Sequence, residues 1–141
     1  MTTNRRLDAC LSLVLAGVVA AACGQTNDGA KLTELHRARS GMLDVVLLSP
    51  RDGLHHGQDS FVIEFRSTAG GTLVDVGTVK ATATMPMPGM PMLGTIDVRR
   101  TNVPGRYEAN SDFSMAGTWR TTVDWNGPAG QGSVTVAESV Q

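Results

Sequence analysis

Between Met85 and Met92 the chain reads Met-Pro-Met-Pro-Gly-Met-Pro-Met, which places four of its seven methionines in eight residues. Thioether sulfur is a soft, uncharged ligand that favours Cu(I) over harder divalent ions. The same side chain is a flexible apolar filler that covers core ends and partner surfaces. Pro86, Pro88 and Pro91 remove backbone donors and push each preceding residue away from helical geometry, so neither a helix nor a central strand runs through. The expectation is a stiff polyproline-like loop with three residues per turn, on which Met87 and Met90 face the same way. Met115 adds a fifth sulfur, and His55-His56, between Gly53 and Gly57, add two imidazoles.

The elements that must position these groups read as strands. Leu43–Leu48 is a β-rich apolar run before Ser49-Pro50. Phe61, Ile63 and Phe65 alternate with Val62, Glu64 and Arg66, the period of two of a half-buried strand. Further strands are expected at Val79–Thr84, Ile96–Arg99, Arg106–Ala109, Trp119–Trp125 and Val134–Val136, with Trp119, Thr121, Val123 and Trp125 on one face. Seven short strands with turn residues between them, and no amphipathic helix, indicate an all-β antiparallel sandwich of immunoglobulin-like type. If consecutive strands run antiparallel, the His55-His56 loop, the Met85–Met92 loop and the Met115 loop fall at one end. An extra strand at Leu73–Val76 would break that parity.

Each group also has a structural reading. His55-His56 suits a solvated turn, Met115 a core position beside Trp119, and the two tryptophans the core itself. Catalysis has little basis, because no strained nucleophile elbow and no paired-carboxylate motif occurs. Asp52 and Asp59 flank the histidine pair, yet a zinc site wants three or four convergent ligands. The chain is therefore expected not to be an enzyme. The metal set is Met85, Met87, Met90, Met92, Met115, His55 and His56, with Cu(I) as the cofactor.

The N-terminus says where this happens. Arg5 and Arg6 precede an apolar run from Ala9 to Ala22 that ends in small residues before Cys23, the pattern of a secretory signal peptide. The run is shorter than the ~20 residues of a membrane-spanning helix. Residues up to Cys23 resemble a bacterial lipoprotein lipobox, which implies that Cys23 becomes the acylated first residue. Residues 1–22 are then a signal peptide, 23–40 a polar tether with at most a helical turn around Leu32–Arg39, and 41–141 the domain. Cys10 leaves with the signal and Cys23 carries lipid, so no thiolate remains for soft-metal chemistry or for a disulfide. Losing Arg5, Arg6 and Asp8 from twelve basic and thirteen acidic side chains leaves ten and twelve, a net charge near −2. With no basic block, nucleic-acid binding has no electrostatic footing.

Four motifs in order resemble a known family. Gly70-Gly71, Met85-Pro86-Met87, Pro104-Gly105-Arg106-Tyr107-Glu108 and Met115-Ala116-Gly117-Thr118-Trp119 are similar to those of YtkA-like and FixH-like domains, across Leu43–Ala137. The resemblance implies a small, non-catalytic Ig-like module of the bacterial envelope, found beside metal-efflux or cytochrome-oxidase assembly systems. This chain differs in carrying a lipobox in place of a membrane helix, and Met where relatives often carry His. Two roles follow. One is a lipid-anchored envelope module, facing the periplasm or the exterior, that binds Cu(I) or hands it over through the Met-Pro loop. The other is an interaction module that docks an efflux or oxidase-assembly partner through the same loop.

Overall fold

A computed structural model describes residues 31–141. The expected signal peptide, Cys23 and the first part of the expected tether lie outside the described residues. Among the described residues, eight strands form one antiparallel sheet: β1 (Thr33–Ser40), β2 (Leu43–Ser49), β3 (Gly57–Ser67), β4 (Thr78–Met85), β5 (Met92–Arg100), β6 (Arg106–Phe113), β7 (Gly117–Gly127) and β8 (Gly130–Val140). Their order across the sheet is β1-β2-β3-β6-β5-β4-β7-β8. The sheet folds on itself into two facing halves, and its two edges nearly meet. Leu54 bridges to Val140, the Gln141 N–H donates to the Leu54 carbonyl, and His36 Nδ1 lies 3.3 Å from Glu138 on β8. The all-β architecture is as expected, with eight strands in place of seven.

The added strand is β1. It takes the last residues of the expected tether and replaces the helical turn anticipated there. The register with β2 shifts between Glu34 and His36, so Leu35 is an extra residue in a β-bulge. The bulge lets Leu35 and Ala38 both pack against the core, a spacing of three that imitates helical periodicity in the sequence. Leu73–Val76 forms no strand: its one ladder contact is the bridge from Leu73 to Arg66, and Val76 packs in the core, so the strand parity is kept.

The core fills the space between the halves. Phe61, Ile63 and Phe65 face Trp119, Val123 and Trp125, with Tyr107 and Phe113 between them. Phe65 meets Tyr107 and Trp125 edge-on with ring centroids 5.6 and 5.3 Å apart, and Phe113 meets Trp119 at 5.1 Å. Strand β5 joins the two halves. Met92, Leu93 and Gly94 pair with β4, whereas Thr95 to Arg100 pair with β6. Gly94 sits at the crossing, where a Cβ would lie only 3.1–3.3 Å from Trp119, Ala83 and Phe113. Its lack of a side chain is what admits the Trp119 indole.

On the outer face, Arg37, Val46, Glu64 and Arg106 stand in register across four strands. Glu64 is fully buried there beneath Arg106, whose Nε and Nη2 lie 2.8 and 2.7 Å from Oε1, and Arg66, whose Nε lies 2.8 Å from Oε2. Val46, between Arg37 and Glu64 in this row, is fully buried, so β2 is buried on both faces.

Candidate functional site

Three connections meet at one end of the molecule. Gly57 at the start of β3 pairs with Phe113 at the end of β6, bringing the β2–β3 loop beside the β6–β7 loop. Thr84 pairs with Arg120, so the end of β4 reaches the start of β7. The histidine pair, the Met-Pro hairpin and Met115 therefore share a pole, as strand parity requires.

The hairpin divides its methionines by burial. Met85 and Met92 pair directly across β4 and β5. Met85 is buried and Met92 packs half-buried against the core. Met87 and Met90 lie in the loop between them, 45 and 78 % exposed. The polyproline run expected across this loop is interrupted at Gly89, whose φ of +91° turns the chain. Three-residue periodicity therefore does not carry from Met87 to Met90, because a hairpin closing Met85 onto Met92 needs a bend.

Met85 is held by its neighbour loop. A Cβ on Gly117 (φ +142°) would come within 2.7 Å of the Met85 methyl carbon, so glycine makes room for this thioether. Two residues on, the Trp119 indole N–H donates to the Met115 carbonyl at 3.0 Å and fixes the β6–β7 loop from beneath. The Met115 side chain is 41 % exposed, outside the core, whereas Trp119 is fully buried and offers no ring face to a surface ion.

The histidines are oriented by their Nδ1 atoms. His56 Nδ1 lies 3.0 Å from the Gln141 main-chain oxygen, which can only accept, so Nδ1 is the donor and Nε2 is the nitrogen left to face a ligand in the neutral ring. His55 Nδ1 faces Asp59 Oδ2 at 3.4 Å, within ion-pair reach though not hydrogen-bonded. Asp59 is itself fixed. Its buried carboxylate accepts from Arg51 Nη2 at 2.7 Å, from Ser60 N at 2.8 Å and from His55 N at 2.8 Å. A carboxylate behind an imidazole is the usual support of a histidine ligand. Beside it lies an open cleft of about 560 Å³ lined by Asp59, Asn110, Ser111 and Asp112.

Among the described residues, no three His, Cys, Asp or Glu side chains converge on a point where a metal could sit. The soft sulfurs are thus the concentrated ligand type at this pole. Sequence reading brought the three loops together, but it missed the Gln141 contact and the exposed Leu93 next to the hairpin. The Asp59 support had a visible signal, since Asp59 follows His55 by four residues.

Comparison with known proteins places the chain. Its sequence matches the family described as YtkA-like over residues 37–124. No curated protein matches it. Among solved structures, FetP of uropathogenic E. coli strain F11 superposes with a TM-score of 0.56 at 14 % identity, over 79 % of this chain and 97 % of that one. A copper-bound variant of FetP superposes with a TM-score of 0.50 at 12 % identity, over 77 % and 95 %. At these identities the likeness is one of fold.

Proposed function

The chain belongs to the YtkA-like family, and from that premise we propose that it is a non-catalytic envelope module that binds Cu(I) at its methionine pole and passes it to a membrane transporter. The observation that carries the reading is the gathering of Met85, Met87, Met90, Met92 and Met115 at one end, with no converging set of harder ligands among the described residues. Copper on a FetP variant of the same fold supports it. Met85 and Met92 supply a fixed base, and Met87 and Met90, exposed on the bent loop, are the sulfurs free to close on an ion. His55 or His56 would complete a three- or four-coordinate shell through Nε2.

Competition against a Cu(I) chelator tests this, using the wild type and Met87→Leu/Met90→Leu. Leucine keeps the apolar volume and removes the sulfur. The wild type should take up one Cu(I), and the double variant should bind at least ~10-fold more weakly, the equivalent of ~1.4 kcal/mol. Zn(II), which prefers thiolate and imidazole, should bind far more weakly than Cu(I). Equal copper affinity in both proteins, or none in the wild type, overturns the reading. The exposed Met87, Met90 and Leu93 favour a second reading, in which the hairpin is a docking surface irrespective of metal.

A further inference from the structure

The chain enters the domain at the same pole as the methionine hairpin. Thr33, the first residue of β1, pairs with Ser49, the last residue of β2. Residues ahead of Thr33 therefore meet the domain beside the β2–β3 loop and not at the far end. Cys23, the expected acylation site, precedes Thr33 by ten residues. Ten residues span at most about 35 Å even when fully extended.

The two poles differ in chemistry. From Met85 to Leu93 there is no ionisable side chain. Within that run Met87, Met90 and Leu93 are exposed, the last by 75 %. Exposed Lys31 stands just ahead of β1. The far pole holds Arg66 and Arg106 on Glu64 and Arg100 on Asp75, whereas at the methionine pole Arg51 pairs with Asp59 on the β2–β3 loop, outside the uncharged hairpin.

We propose that the methionine pole is a membrane-docking surface, with the β4–β5 hairpin seating Met87, Met90 and Leu93 in the headgroup–acyl boundary of the bilayer that holds Cys23. The proposal rests on the anchor and the topology and is independent of copper. A lipid surface fits better than a protein groove because the hairpin offers apolar area with no aromatic or arginine anchor. The tether makes the contact intramolecular, so a short apolar tip suffices where a free one would dissociate. Lys31 is placed to meet anionic headgroups.

The test uses the full chain with its own lipid, reconstituted into phosphatidylethanolamine–phosphatidylglycerol vesicles in the presence of a copper chelator. Met90→Cys and, on the far-pole β5–β6 turn, Asn102→Cys each carry an environment-sensitive fluorophore. A lipid-borne quencher should dim the Met90 probe severalfold more than the Asn102 probe, and an aqueous quencher should do the reverse. Met87→Leu beside the Met90 probe should keep this protection, whereas Met87→Asp with Leu93→Asp should abolish it. Because these readouts contain no metal, they fail or succeed separately from the copper titration. Equal quenching at both probes overturns the proposal. So does a chain that does not co-float with the vesicles, or protection that appears only in native membranes containing proteins, which would assign the surface to a protein partner.

Discussion

At the scale of single residues, Trp119 ties the core to the pole. It is fully buried against Phe113, and its N–H holds the Met115 carbonyl. Trp119→Ala should cost ~3–5 kcal/mol by urea denaturation, while Arg120→Ala, exposed on the other face, should stay within about 0.5 kcal/mol. Comparable losses would mean that the facing of β7 is wrong. Glu138 makes a pH prediction. Desolvation by burial raises its pKa above the ordinary 4.5, with His36 opposing the shift in part. The native state therefore holds the proton more tightly than the unfolded chain, and stability falls as pH rises from 4.5 through the native value. Glu138→Gln should gain on the wild type as pH rises above 4.5, read as a growing difference in urea midpoint. A constant difference would place the titration elsewhere. The alternation of Trp119 to Trp125 was legible from sequence. The burial of Glu64 was not: Arg66 is a local partner two residues on, but the second, Arg106, lies 42 residues away and only the β3–β6 pairing brings it there.

At the scale of elements, β1 and the β4–β5 hairpin show where one-dimensional reading stops. Periodicity failed for Thr33–Ser40 because the bulge at Leu35 breaks the alternation of two, and only the pairing with β2 and the contact with β8 make a strand of it. A chain beginning at residue 41 should therefore melt ~10 °C or more below one beginning at residue 31, roughly 2 kcal/mol. Equal melting temperatures would return β1 to the tether. In the hairpin, the prolines correctly exclude continuous strand between Met85 and Met92. Which sulfurs face inward depends on the cross-strand register and on the bend at Gly89, which residue spacing does not report. Gly117→Ala should displace the Met85 methyl group and weaken copper uptake with little change at Met87 or Met90, measurable by methionine methyl NMR. Unperturbed Met85 signals would contradict the packing.

At the scale of the whole molecule, the antiparallel topology puts the methionine hairpin, Met115 and the histidine pair at one end. That much was legible, because strand parity alone decides which loops share a pole. The nearly closed seam was not, since it depends on β1. The anchor has its own check: the mature N-terminus should begin at an acylated Cys23, and Cys23→Ser should leave the membrane fraction, because two or more buried acyl chains at ~0.8 kcal/mol per methylene hold firmly where one would not. An unlipidated N-terminus or a membrane-retained variant would contradict it. X-ray absorption of the Cu(I)-loaded protein should show a first shell dominated by sulfur scatterers, contributed by at least two thioethers and lost in Met87→Leu/Met90→Leu. A shell of nitrogen and oxygen alone, or copper that washes off the wild type, would contradict the account.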